Sequence, residues 1–214
     1  MTELSTSVKN AEVIFWDFDG VIKDTVLPKG WAFQSLFEEF GTDFCDLVLK
    51  HHLSNGGVTR KTKIKEYLSW AGLSPSNQLV DKYAQEFALR VKTEVLNAPY
   101  VDGFLSLALD PEVRAKFLVV SAVPQGEIEF IIQESGLANR FEKIFGAPNE
   151  KVEVVRKYLF ETNFVAEDCL FFGDSKEDII AAQSNSVRFI LRQHEWNEHL
   201  LHHEVFGKVR DFIY

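Results

Sequence analysis

Three short apolar runs constrain the fold of this chain more than any other feature. They are "AEVIFWD" (11–17), "KFLVVSA" (116–122) and "DCLFFGD" (168–174). Each is shorter than an ordinary helix, rich in β-branched or aromatic residues, and closed by a small or acidic residue, the pattern of a strand buried on both faces. "VRFIL" (187–191) is a fourth run, "EKIFG" (142–146) a weaker fifth, and "FGKVRDFIY" at the end adds an edge strand. Helical patterns lie between them. "QGEIEFIIQESG" (125–136) repeats apolar residues at helical spacing and ends in Gly, "NEKVEVVRKYLFETN" (149–163) repeats them behind Asn149 as N-cap, and "SKEDIIAAQSNS" (175–186) opens on Ser175 with acids in its first turn. Alternating strands and helices predict βαβ units, hence an α/β fold with a Rossmann-like parallel sheet covered on both faces.

The interval between the first two strands breaks this rhythm. Residues 24–98 carry helical periodicity throughout, in "WAFQSLFEEFG", "FCDLVLKHHLSNGG", "RKTKIKEYLSWAG" and "SNQLVDKYAQEFALRVKTEVL". That is too long for one crossover helix. It predicts an all-helical cap over 24–98, inserted into an α/β core made of 1–23 and 99–214. "KDTVLPKG" and "NAPYVDG" are the expected hinges, with Pro28, Gly30, Pro99 and Gly103 as the hinge residues.

The 214 residues are 46% hydrophobic, enough for a full core, and the 19 Phe predict that aromatic packing fills much of it. A net charge of -9 excludes a protein that tracks a nucleic-acid backbone on a basic face. Cys45 and Cys169 lie far apart and read as reduced thiols, which with a start lacking any signal pattern predicts a cytoplasmic location. No apolar stretch is long enough to span a bilayer, so no membrane partner is expected.

Ligands of open parallel sheets bind at the carboxyl ends of the strands, and Asp17, Ser121 and Asp174 all fall at such ends. Asp19 follows Asp17 by two residues, and Gly20 lets the chain turn sharply between them and the next segment. "GDSKED" adds Asp178, four residues beyond Asp174 on the same face of a helix start. Adjacent carboxylates repel one another and lose hydration, so a cluster of them calls for a hard cation; oxygen-only donors select Mg2+. The competing readings are structural: a capping pair in a tight turn for Asp17 and Asp19, and helix-start acids for Asp174 and Asp178.

Asp-x-Asp-Gly-Val after an apolar strand, a strand-end Ser, a Lys opening a helix and Gly-Asp-Ser-x-x-Asp, in that order, resemble the haloacid dehalogenase superfamily. The likeness is to its helical-cap phosphatase and β-phosphoglucomutase branch. The resemblance implies a Mg2+-dependent phosphatase acting on a small phosphorylated metabolite, a sugar phosphate among the candidates, through an aspartyl-phosphate. Asp17 would be the nucleophile and Asp19 the acid and base. Ser121, with Ala122 beside it, would hold the phosphoryl group, and Lys151 would pair with the nucleophile. Asp17, Asp19 (through its carbonyl), Asp174 and Asp178 would hold the metal. "GAPNEKVEVV" departs from the Lys-Pro form usual around this Lys, which leaves a solvated helix-start lysine as the competing reading of Lys151. An acid at Asp19 favours phosphate chemistry over halide release, because halide leaves unprotonated.

"HHLSNGGVTRKTK" (51–63) resembles the substrate-facing cap loop of this branch. It offers Asn55, Gly56 and Gly57 as loop formers, Arg60 as the basic contact and His52 as a polar one; a solvated Arg in a helix-turn-helix is the competing reading. Trp16 is expected to pack against a helix. His199, His202 and His203 read as a polar tail before a zinc site. A phosphomutase uses the same carboxylates and stays open as an alternative, as does a catalytically silent binding module. A monomer and a weak homodimer both fit.

Overall fold

The computed structural model of the chain describes residues 3–213. All the expected strands form: β1 (Val13–Trp16), β2 (Lys116–Pro124), β3 (Phe141–Ala147), β4 (Cys169–Gly173), β5 (Arg188–Arg192) and the edge strand β6 (Gly207–Val209). They make one six-stranded sheet in the order β3-β2-β1-β4-β5-β6, each neighbouring pair parallel. β1 is central, so the residues that follow it emerge at the middle of the sheet's carboxyl edge.

Alternation along the strands sends side chains to two apolar layers. Ile14, Trp16, Phe117, Val119, Leu170 and Phe172 face one layer, while Val13, Phe15, Leu118, Val120 and Phe171 face the other. Trp16 is fully buried; it stacks on Phe172 at 4.5 Å and meets Phe104 edge-on at 5.2 Å, so it packs against the sheet as well as a helix.

The helices are α1 (Glu3–Asn10), α2 (Val26–Leu36), α3 (Thr42–Ser54), α4 (Arg60–Trp70), α5 (Asn77–Asn97), α6 (Phe104–Ala108), α7 (Gln125–Glu134), α8 (Lys151–Thr162) and α9 (Lys176–Gln183). Five of them, α2 to α6, lie between β1 and β2 with no strand among them, and α2 to α5 fall within residues 24–98, the segment expected as the helical cap. Its own core is aromatic: Phe33 lies 4.1 Å from Phe87 and 5.7 Å from Tyr67, and Phe37 meets Tyr83 at 5.2 Å.

Three local expectations are corrected. Pro28 and Gly30 are not hinge residues, because α2 already starts at Val26. A proline in a first helical turn loses no hydrogen bond, since those N–H groups have no partner within the helix. A Cβ on Gly30 would sit 2.7 Å from Leu49 Cδ1, so close packing of α2 on α3 explains the glycine. Gly103 does adopt a left-handed φ of +80°, but it does so as the N-cap of α6, pressed against the backbone of Phe212. Asn149 does not cap α8; Glu150 holds that position, and the Asn149 amide donates to Gly146 O at 2.8 Å instead. The two linkers pair with each other: Asp24 N–H donates to Pro99 O and Val101 N–H to Ile22 O, both at 3.0 Å. No helix is long and apolar enough to cross a membrane.

Candidate active site

Asp17 continues directly from β1 and is held by its N–H, which donates to Phe172 O on β4 at 2.9 Å. Asp17 is buried, its side chain 6% exposed. Lys151, the first residue of α8, reaches across with Nζ 2.8 Å from Asp17 Oδ1 and 2.7 Å from Asp178 Oδ1. That lysine is buried rather than solvated. The other Asp178 oxygen accepts from Ser175 Oγ at 2.6 Å and Ser175 N–H at 3.1 Å, which completes a capping box at the start of α9. One Asp178 oxygen thus caps the helix, as the structural reading of its spacing has it, and the other pairs with Lys151.

Asp174 follows β4. Its Oδ2 lies 2.9 Å from His194 Nε2, and its carbonyl accepts from Asn197 Nδ2 at 2.8 Å. Asp17, Asp174 and Asp178 bring one oxygen each to within 4.8 Å of one another. Gly20 makes this convergence possible: it adopts φ +69°, and a Cβ there would lie 2.2 Å from Asp174 Oδ2.

The electrostatics follow from this crowding. Burial pushes the Asp17 carboxyl well above the usual carboxylate range, and although Lys151 opposes it, Asp178, Asp174 and Asp19 add to the rise. Burial also raises Asp174 against the pull of His194. Burial disfavours the charge on Lys151, but Asp17 and Asp178 outweigh it and lift that ammonium above its ordinary pKa. Lys151 thus pairs with Asp17 and Asp178 while Asp174 meets His194, so three buried carboxylates share a single lysine. Three oxygen donors of this kind fit a hard divalent cation such as Mg2+.

Asp19 is turned away from this cluster. Its carboxylate takes the Thr25 hydroxyl and the Lys29 ammonium, the latter at 2.6 Å. Burial alone would raise it, but Lys29 and Thr25 outweigh burial and hold it below its usual value. Each motif aspartate thus has its own lysine. Ser121, at the end of β2, is 2% exposed and its Oγ accepts from Val123 N–H at 3.2 Å.

The cap closes over this edge. Asp19, Asp174 and Ala122 line a cavity of about 40 Å³ together with Gly56 and Arg60. That is room for only a few waters. Arg60 Nη2 is not solvated; it pairs with Glu127 on α7 at 2.6 Å and lies over the Phe87 ring. Asn55 and Gly57 do not line this cavity. The Asn55 amide donates back to His51 O at 2.8 Å, and Gly57 sits where a Cβ would come within 2.4 Å of both Ser175 Oγ and Glu177 Oε2. His199, His202 and His203 line an outer cleft with Asn55 and His194, beside a short 3-10 turn over Glu195–Leu200.

Lys29, Thr25, Lys63, His194 and Asn197 were not singled out from the sequence. Lys29 falls in "KDTVLPKG", expected as a hinge, and Lys63 at the end of "HHLSNGGVTRKTK", where Arg60 is the expected basic contact; nothing local marks either lysine as buried. The chain matches the family described as haloacid dehalogenase-like hydrolase over residues 13–192. A phosphoglycolate phosphatase from Colwellia psychrerythraea is 24% identical over 199 residues, 84% of this chain and 83% of the relative. In fold the chain is similar to CbbY from Rhodobacter sphaeroides, solved with xylulose-(1,5)bisphosphate (TM-score 0.77, 17% identity, 94% of this chain and 95% of that one). It is likewise similar to the β-phosphoglucomutase of Clostridium difficile (TM-score 0.73, 19% identity, 94% and 92% covered). With the motif residues gathered at the carboxyl edge of β1, β2 and β4, the chain belongs to the haloacid dehalogenase-like hydrolases.

Proposed function

We propose that this chain is a Mg2+-dependent phosphatase that cleaves a small phosphorylated metabolite, a sugar phosphate among the candidates, through an aspartyl-phosphate on Asp17. The observation that carries the reading is Lys151 set between Asp17 and Asp178 inside a buried cluster of three carboxylates. An acidic protein handles phosphate by supplying local positive charge, and this arrangement supplies it where an ester would dock.

The chemistry divides among the chain's own residues. An Asp17 oxygen attacks phosphorus, the bond from phosphorus to the ester oxygen breaks, and Asp19 gives that oxygen a proton. Asp19 then takes a proton from water as the water attacks the acyl phosphate, freeing phosphate and restoring Asp17. Thr25 and Lys29 position Asp19, and Lys29 holds it ionised, the form that takes a proton from water; it gives a proton to the leaving oxygen only once that ion pair has opened. Ser121 Oγ and the backbone beside Ala122 hold the phosphoryl oxygens, and Lys151 offsets their charge. Bound Mg2+, held by Asp17, Asp174 and the Asp19 carbonyl with Asp178 in support, would neutralise the remaining charge and align the phosphoryl group.

The cap of residues 24–98 then moves against the core of 1–23 and 99–214, since a cavity of about 40 Å³ does not admit an ester unless it opens. The paired linkers at Asp24 and Pro99 suit a hinge, and Gly56 and Arg60 would close on the ligand. Buried, unpaired Cys45 and Cys169 suit the reducing cytoplasm. A phosphomutase is the second reading, favoured by the likeness in fold to a β-phosphoglucomutase. A screen of phosphorylated metabolites with and without Mg2+ tests both. Free phosphate that depends on Mg2+ and on Asp17 supports hydrolysis, an isomeric monophosphate supports the mutase, and turnover retained in Asp17→Asn rejects the nucleophile.

A further inference from the structure

Asp17 and Asp178 meet Lys151, but the third carboxylate of the cluster is held by a different part of the chain. Asp174 Oδ2 lies 2.9 Å from His194 Nε2, on the segment that follows β5. His194 Nδ1 accepts from Trp196 N–H at 3.2 Å, so it presents a lone pair and the ring proton sits on Nε2. Nε2–H therefore donates to Asp174. His194 is also the N-cap of the turn over Glu195–Leu200, and that cap uses only Nδ1 of the ring. The bond to Asp174 is additional to what the turn needs.

Asn197, 2% exposed, braces the arrangement. Its Nδ2 donates to Asp174 O and to Arg192 O, both at 2.8 Å, and its Oδ1 accepts from His194 N–H at 2.9 Å. Two carbonyls on one side and an N–H on the other leave the amide a single orientation. One buried side chain thus ties the end of β4 to the end of β5 and to His194. The space around Asp174 Oδ2 is tight as well, since a Cβ on Gly20 would fall 2.2 Å from it. Asp174 Oδ1, by contrast, accepts no hydrogen bond among the described residues, although Asp174 is buried and lines the cavity under the cap. A carboxylate that must swing into place loses rotational freedom when it takes an ion; one already fixed does not.

We infer that His194, braced by Asn197, is a positioning residue for the cation site: it fixes the Asp174 carboxylate so that Oδ1 is presented to a divalent ion. His194 does not itself line the cavity under the cap, so it acts through Asp174. The inference rests on the metal-dependent reading above for the identity of the ion. Outer partners of this kind set metal affinity by about 10- to 100-fold.

Calorimetric titration of the full chain with Mg2+ alone, at one fixed pH, tests it with two variants that divide the imidazole between them. His194→Asn keeps a capping acceptor where Nδ1 stands but is too short to reach Asp174. His194→Gln places an amide N–H where Nε2 stands but gives up the cap. His194→Asn is expected to weaken Mg2+ binding by about 10- to 100-fold while the metal-free protein melts close to the unaltered chain. His194→Gln is expected to keep most of the Mg2+ affinity although its metal-free form melts lower. In release of phosphate from an aryl phosphate, His194→Asn should raise the Mg2+ concentration needed for half-maximal rate and leave the ester KM at saturating Mg2+ unmoved. Unchanged Mg2+ binding in His194→Asn, or binding lost in a folded His194→Gln, overturns the inference and leaves the metal-dependent reading standing. No Mg2+ binding by the unaltered chain would reject that reading, and this inference with it.

Discussion

Asp17 carries two opposed burdens, and one substitution separates them. Its carboxylate is buried beside Asp174 and Asp178 with Lys151 as the one direct counter-charge, so the ionised form strains the metal-free fold. Asp17→Asn is expected to stabilise the metal-free protein by about 1–2 kcal/mol, seen as a higher melting temperature, while phosphate release disappears. A destabilised variant would show that Lys151 compensates Asp17 fully. Lys63 gives a pH signature. Burial lowers it from 10.5 to about 7, so between those values the unfolded chain binds more protons than the folded one. Stability then rises with pH over that window, and thermal melts of Lys63→Met should lack that rise. Asp17, Asp19, Asp174 and Asp178 were legible in the sequence because strand ends and a helix start fix where they must emerge. Lys29 and Lys63 were not, because their burial depends on how the cap helices sit on the core, which no local pattern records.

Among the elements, the strands were the most legible, since a short apolar run bounded by turn residues has few other uses. β3 and β6 were the weakest in the sequence and are the two edges of the sheet, where one side lacks a partner and selection for apolar residues relaxes. α1 and α6 escaped notice because eight polar-rich residues and five residues are too few to display a helical period. The loop between α3 and α4 is where the cap meets the site. Gly57 there touches Ser175 and Glu177, and a methyl group would fall 2.4 Å from each. Gly57→Ala is expected to hold the cap ajar and to lower kcat/KM by about 10- to 100-fold with little change in overall stability. Faster amide exchange in residues 55–58 would accompany it, and unchanged kinetics would remove this loop from the closing contact.

For the whole molecule, the central strand and its neighbours deliver acids to one edge while the inserted helices roof that edge. The arrangement gathers three carboxylates on a single lysine, a charge that an ion can neutralise, so Mg2+ well above its Kd should raise the melting temperature, by an amount equivalent to about 2.7 kcal/mol at one hundred times Kd. The replacement Asp174→Asn should abolish that rise. On the proposed function, Lys151 and a bound Mg2+ would together offset the three carboxylates, so that a phosphate ester could dock within a negative envelope. The most direct test is to quench turnover in acid and locate the trapped phosphoryl group by peptide mass. A single phosphoryl group on the peptide containing Asp17, lost in Asp17→Asn, is the result expected; a phosphoryl group on any other residue, with turnover surviving that substitution, would contradict the account.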